Sequence, residues 1–458
     1  MTELRCLSLN GLMHGNGFPT ASLDAGLDRD PHFVGVDAGS TDGGPYFLGS
    51  GENMHSSRRA VKQVYRTLLT RCLDADVPLL VGSAATAGAD VHVDWTAALV
   101  REIAAAEGLA FDLGIVYCEQ SIGDLVAAIE SGRTEPLDES PPLDVATVEA
   151  AERVVAMAGP EVFVEALDRG ADVVVAGRCS DVAIYKAMAV REGLHEGLAT
   201  HLAKTIECGG LIATPRGGDC VLGTLTDDAF TVTPTNPAKR TDPLTVASHL
   251  LYETADPTRF VEPRGVLHTG DATYDAVDDR TVRVTGSRFQ RADDYTVKLE
   301  GAREVGHRGV ATAGIRDPTA VAELDALLTA ARTAVDEKAS RLGLATHAFS
   351  IDVRVYGRDG VMGGREPTPD AGHEVGLFVE AVAPDAGTVD DLLEEFTYAL
   401  FVSDFPGRRT TAGNAAFPTS PAHAPVGPAY EFSVWHRLRV ADPLDPVRIE
   451  VERVGGSA

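Results

Sequence analysis

Lysine is nearly missing from this chain. Only six lysines, Lys62, Lys186, Lys204, Lys239, Lys298 and Lys338, stand among 40 basic residues, against 68 acidic ones, and the formal net charge is −28. Such a surface repels nucleic acid and anionic lipid, because phosphate binding needs a concentrated basic face and none is visible. There is no C-x-x-C pair, no G-x-x-x-x-G-K-[ST] and no apolar run approaching membrane-spanning length. A zinc ribbon, a disulfide framework, a P-loop and a transmembrane helix are therefore not expected. Gly49-Ser50-Gly51 lacks the third glycine of a dinucleotide fingerprint. The cysteines, Cys6, Cys72, Cys118, Cys179, Cys208 and Cys220, read as reduced thiols. The start MTELRCLSLN has neither the basic nor the apolar region of a signal peptide, so a cytoplasmic location is expected.

What is present is ordinary globular material: 44 % hydrophobic and 24 % charged residues over 458 positions, enough for two domains. An acidic, lysine-poor surface stays soluble where salt screens self-repulsion, since the Debye length falls to about 3 Å at molar salt. The charge thus suggests a halophilic cytoplasm; an acidic protein of an ordinary cell is the alternative.

Short apolar runs alternate with helical periodicity through the first 215 residues or so. Strands are expected at Leu4 to Leu9, His32 to Asp37, Val77 to Gly82, Phe111 to Cys118, Val173 to Ala176 and Leu211 to Ala213. Helices are expected at Arg58 to Asp74, Thr96 to Ala106, Ile122 to Ser131, Thr147 to Met157 and Glu161 to Arg169. The alternation predicts an α/β fold with a mainly parallel, doubly wound sheet. After about residue 215 the pattern turns to short β-like runs, a hairpin-like tract at Tyr295 to Ala313, a helix at Thr319 to Leu342 and further strands. The expected organisation is an α/β ligand-binding domain over 1–240 and an α+β domain over 241–458 that completes or closes the site.

In such a sheet, ligands bind beyond the carboxyl ends of the strands. Four loops qualify. Asn10 to Gly17 is glycine-rich. The second runs from Val36 to Tyr46, where Asp37, Ser40, Thr41 and Asp42 offer carboxylates and hydroxyls for a magnesium-bound phosphate or a carboxylated ligand, or simply cap turns. The third, Gly82 to Trp95, is built of small residues that let a backbone or a ligand approach. In it Ser83 is a polar candidate, and Asp90, His92 and Asp94 alternate, which in an extended chain puts all three on one side for acid/base work or a metal; Asp94 also suits a helix N-cap. The fourth places Arg178, Cys179 and Asp181 before a helix, where Arg178 suits a carboxylate or phosphate. In the second half, Arg354 to Gly363 and the coil around Asn414 are candidate closing loops, or plain stabilising ones.

The segments VDAGSTDGGPY, GSAATAGADVHVDW, VVAGRCSDVAI, ECGG, VRVTGSRF, VKLEGA, RVYGRDGVMG and AGNAAFPTSP occur in this order. With them the chain resembles the acyclic terpene utilisation (AtuA-like) family over about residues 34 to 440. The family's third motif has glycines where Ala85 and Ala89 stand here. The resemblance implies a link to bacterial catabolism of citronellol-type terpenes through branched acyl-CoA intermediates, without fixing a reaction.

Three readings follow. The first is an enzyme of carboxylic-acid or acyl-CoA catabolism with lyase- or hydrolase-type acid/base chemistry. In it His92 with Asp90 or Asp94 is catalytic, Asp37, Ser40, Thr41, Asp42, Ser83, Arg178, Asp181 and Asn414 bind substrate, and a divalent metal is compatible though no cofactor is assigned. The second is an actin-like nucleotide-dependent protein, whose phosphate loop also reads Asp-x-Gly-Ser-Thr. The third is a non-catalytic metabolite-binding subunit. A small acidic metabolite is the expected partner and a homo-oligomer is compatible with the sequence. The charge reading predicts that thermal stability rises with KCl concentration; equal stability in dilute buffer contradicts it.

Overall fold

The structure is a computed structural model and describes residues 3–10, 17–54, 57–368 and 370–456. The glycine-rich loop after the first strand falls mostly outside these residues. The chain divides into two compact units, one of residues 1–303 with 432–458 and the other Glu304–Glu431.

The first unit opens with strands β1 (Glu3–Leu9), β2 (Phe33–Asp37), β3 (Leu79–Gly82), β4 (Phe111–Tyr117), β5 (Thr134–Pro136), β6 (Arg153–Met157), β7 (Val173–Ala176), β8 (Cys220–Thr226) and β9 (Phe230–Pro234). Among them lie helices α1 (Thr20–Leu27), α2 (Tyr46–Ser50), α3 (Arg58–Asp74), α4 (Asp90–Glu107), α5 (Ile122–Glu130), α6 (Val145–Glu149), α7 (Glu161–Asp168), α8 (Asp181–Arg191) and α9 (Glu196–Ile206). The large sheet has ten strands in the order Thr273–Ala276, Val282–Thr285, β9, β8, β1, β2, β3, β7, β4 and Arg448–Val454. Pairing is parallel from β1 through β2, β3 and β7 to β4. It is antiparallel outside them.

The expectation of a mainly parallel sheet is met at the centre only. The fold is mixed α/β with several sheets. Each central strand is apolar on both sides because both faces are covered. Leu7, Leu9, Val34, Val36, Leu79 and Val81 pack with Val61 and Leu68 of α3 and Val100 of α4. Cys6, Phe33, Leu80, Val116, Val174 and Ala176 pack with residues of α7, α8 and α9, Phe163, Ile184 and Leu202 among them. Each Val, Leu, Ile or Phe among them contributes about 1.5–3 kcal/mol when fully buried.

Several local expectations are corrected. The compositional shift near residue 215 marks the change from parallel to antiparallel strands inside the first unit: β8 pairs along the whole of β1, and the division between units comes at 303/304 instead. Thr147 to Met157 is not one helix; α6 stops at Glu149 and β6 follows, pairing with Lys298 to Ala302. Leu211 and Ile212 lie in a 3-10 turn rather than a strand. The tract expected as a hairpin is one continuous strand, Tyr295–Ile315, with Gly306 at φ +124.

The second unit builds on the later part of that strand. His307 to Ile315 pairs with Val375–Ala383, which pairs with Ser350–Tyr356. Helices Leu324–Arg341 and Ala386–Val402 cover one face through Leu327, Val335, Leu392 and Phe396.

Candidate functional site

The loops after β2, β3 and β7 meet at the carboxyl edge of three neighbouring parallel strands. Their backbones are bonded to one another: Ala38 N–H donates to Gly82 O at 3.0 Å, Ser83 N–H to Gly177 O at 3.1 Å and Arg178 N–H to Gly88 O at 3.0 Å. A Cβ on Gly39 would stand 2.2 Å from the Thr86 carbonyl oxygen, and one on Gly88, at φ +63, would stand 2.3 Å from the Arg178 amide nitrogen. The small residues of the third loop therefore admit neighbouring backbones. Ser83, Ala85 and Thr86 sit at φ 48°, 47° and 104°, conformations that cost non-glycine residues of order 1–3 kcal/mol each and persist only where the surroundings enforce them. Ala85 thus occupies a left-handed position where the resembled motif carries glycine; Ala89, extended at φ −68°, does not.

Within these loops Arg178 is 5 % exposed and Glu300, on the long strand, is fully buried. Arg178 Nε donates to Glu300 Oε2 at 2.7 Å; Nη1 donates to Ser83 Oγ at 3.2 Å and to Cys179 O at 2.9 Å, with Asp181 at 3.7 Å. Thr41 Oγ1 donates to Glu300 Oε1 at 3.0 Å, and Lys298 Nζ, 3.4 Å from the Trp435 ring centroid, lies 2.7 Å from the same oxygen. Burial alone would raise the Glu300 carboxyl, but Arg178 and Lys298 outweigh it and hold it down to about 2. The expected role of Arg178 as a substrate-carboxylate clamp is corrected by this pairing: its Nε and Nη1 already serve the protein. Ser83 likewise spends its hydroxyl on Arg178 and the Cys179 backbone. The Cys179 thiol is buried and pushed up to about 12 by burial and then by Asp37, which removes it as a nucleophile.

The open side of the network is a group of carboxyls. Asp37 closes β2 and accepts from Gly39 N–H at 3.3 Å. Burial, and next the charge of Asp181, push its carboxyl well above the usual range, while the Gly39 amide and Arg178 pull weakly the other way. Asp181 opens α8; burial raises it too, against Arg178 and Lys204. Asp42 is exposed, and Ser40 Oγ accepts from its amide at 3.2 Å as a turn contact. Glu253, near Asp42 and Asp181, is raised chiefly by burial. Lys204 and Glu207, 2 % and 3 % exposed, form an ion pair at the end of α9; burial drives the Glu207 carboxyl well up in spite of Lys204.

The expected catalytic trio is not assembled. Asp90, His92 and Asp94 lie in the first turns of α4 rather than in an extended segment, so their alternation does not put them on one side. His92 Nδ1 accepts from Ala89 N–H at 3.2 Å and Nε2 lies 3.0 Å from Glu52 O, which fixes the Nε2–H tautomer and makes the ring a helix-start tie. Asp94 accepts from Tyr117 O–H at 2.7 Å. Asp90 N–H donates to Glu119 Oε2 at 3.0 Å, and Asp90 lines a cavity of about 380 Å³ with Tyr117, Glu119, Arg133 and Arg448. Asn414 belongs to the second unit, where its amide donates to the Leu400 and Ser403 carbonyls at a helix end. The actin-like alternative needs a hairpin after Asp37; instead β2 has parallel neighbours on both sides and the chain enters α2.

Sequence reasoning placed Asp37, Thr41, Asp42, Ser83, Arg178 and Asp181 in one neighbourhood, and the structure brings them there. It missed Glu300, Lys204, Glu253 and His249. Glu300 stands inside VKLEGA and Glu207 inside ECGG, so the motif order itself held that signal. Among the described residues two groups of donor atoms lie close enough to hold a cation, Glu207 with Cys208 and His249, and Asp181 with Glu207 and Glu253, each with its ligand atoms within 4.8 Å of one another.

Comparison with known families matches residues 54–218 and 227–426 to the acyclic terpene utilisation family protein AtuA. The chain belongs to this family. No curated protein and no solved structure gives a match. The family match takes in the Arg178, Lys204, Glu207 and Glu300 positions; the Asp37 loop precedes it.

Ser180 Oγ donates to Glu262 Oε1 at 2.8 Å, and burial raises the Glu262 carboxyl from 4.5 to about 7 despite Lys186. A raised carboxyl leaves folding unaffected below its unfolded value and costs stability as pH climbs to the folded value. Between pH 4.5 and 7 this group therefore removes roughly 3 kcal/mol. Glu262→Gln, which keeps an acceptor for Ser180, should flatten that decline in chemical denaturation; an unchanged pH profile contradicts the assignment.

Proposed function

We propose that this family member is an acid/base enzyme of carboxylic-acid or acyl-CoA catabolism, acting at the carboxyl edge of β2, β3 and β7. The observation that carries the reading is the unequal pair Asp37 and Asp181. Asp37 has one amide donor, at 3.3 Å, and is the more strongly favoured in its protonated form; Asp181 lies 3.7 Å from Arg178 and under the field of Lys204, which favour its carboxylate. Both carboxyls are raised by burial, Asp37 the further, and two neighbouring carboxyls of unequal proton affinity suit paired proton transfer.

In this reading Asp37 gives a proton to a developing oxyanion or leaving oxygen, and Asp181 accepts one from the substrate or from water. Thr41, Ser83 and Arg178 act one step back: they hold the loops, and with them the two carboxyls, in fixed geometry. Family membership supports a place in acyclic terpene breakdown; the two carboxyls support the reaction class.

Asp37→Asn should abolish turnover of branched short-chain acids or their acyl-CoA esters, by roughly the 10²–10⁴-fold that general acid catalysis supplies, with the melting temperature kept. Undiminished turnover in that variant removes Asp37 from the mechanism, and His92→Ala should keep most activity in any correctly folded preparation.

A further inference from the structure

We propose that Glu207, Cys208 and His249 form a binding site for one divalent first-row transition ion, zinc foremost. The three come from two segments. Glu207 and Cys208 end α9 and enter the 3-10 turn Gly209–Ile212, and His249 starts the turn His249–Leu251.

The leading observation is a pair of buried atoms without a partner among the described residues. Among these residues Glu207 Oε2 and His249 Nε2 make no hydrogen bond, on side chains that are 2 % and 9 % exposed. Buried polar atoms normally find partners, so two neighbouring exceptions call for an explanation. Lys204 takes Glu207 Oε1 and leaves Oε2 to point elsewhere; His249 Nε2 lies 3.8 Å from Oε1, too far for a hydrogen bond. Cys208 Sγ completes a set whose atoms all lie within 4.8 Å of one another.

The chemistry of the donors selects the ion. An imidazole nitrogen, a thiol sulfur and a carboxylate oxygen suit zinc and its neighbours, whereas magnesium and calcium prefer oxygen alone. Zinc with ligands at about 2.0–2.3 Å in tetrahedral array holds its donors roughly 3.3–3.8 Å apart, so closure by about 1 Å suffices. Charge favours the same outcome. Asp42, Asp181, Glu207 and Glu253 gather here around Lys204 and Arg178, and the latter is already matched by Glu300. On binding, the Cys208 thiol loses its proton to solvent as the sulfur becomes a ligand. The second donor group, Asp181 and Glu253 with the shared Glu207, borders the first.

The proposal concerns binding and stands independently of the Asp37 reaction. Chelator-treated full-length protein is titrated with Co²⁺ and with Zn²⁺ alone, without substrate. The expected result is one ion per chain, a thiolate-to-cobalt charge-transfer band that Cys208→Ser abolishes, and an affinity loss in His249→Gln beyond the roughly 10–100-fold typical of outer-shell changes. Apo melting curves identify any variant that fails to fold, and the conservative Cys208→Ser keeps the test open in that case. Cobalt binding with wild-type affinity and spectrum in both variants, or fewer than one ion per chain in the wild type, overturns the site. Asp37→Asn should bind cobalt normally, which separates this claim from the catalytic one.

Discussion

Arg178 and Glu300 are taken almost wholly out of water, and a charge in that position is tolerated only when its counterion and its hydrogen bonds are in place together. Here they are. Glu300 receives Arg178, Lys298 and Thr41; Arg178 also holds Ser83 and the Cys179 carbonyl. Through these contacts one ion pair ties the loops after β2, β3 and β7 to the long strand. The left-handed conformations of Ser83, Ala85 and Thr86 are sustained by that enclosure, and the carboxyls Asp37 and Asp181 inherit their positions from it.

The same network gives the scarcity of lysine a second meaning. Four of the six lysines are drawn inward: Lys186 to Glu196 and the Phe289 ring, Lys204 to Glu207, Lys239 to Asp219 and Lys298 to Glu300. Lys62 and Lys338 pair with Glu102 and Asp391 nearer the surface, whose other charges are acids and arginines. A strongly negative exterior therefore coexists with cations placed beside buried carboxyls, and it is those local balances that set proton affinities at the candidate site. Glu300 falls to about 2 and Glu262 rises to about 7 within one acidic chain, because Arg178 and Lys298 in contact outweigh burial at the first, whereas burial outweighs the pull of Lys186 at the second.

Much of the parallel centre was legible because a strand covered on both faces must be apolar throughout, and Val173–Ala176 or Leu79–Gly82 are little else. The loop logic followed from it, so Asp37, Ser83, Arg178 and Asp181 were placed correctly. What failed depended on conformation that residue types do not dictate. Asp90, His92 and Asp94 read equally as an extended face or a helix start, and the helix won when His92 Nδ1 accepted the Ala89 amide. Arg178 looked like an anion site because its partner, Glu300, lies 122 residues away. Thr147 to Met157 has helical spacing, yet Arg153–Met157 pairs with the long strand. In the last two cases contacts distant in sequence decided what the local pattern could not.

Both tryptophans, Trp95 and Trp435, lie in the unit that contains Arg178 and Glu300, so their fluorescence during denaturation reports on that unit. A double-mutant cycle with Arg178→Met and Glu300→Gln tests the central claim most directly. The account predicts that each single change costs about 3–5 kcal/mol, because each strands a buried charge, and that the double variant is markedly more stable than the sum of the two losses implies. Additive losses, or single losses below about 1 kcal/mol, would contradict it.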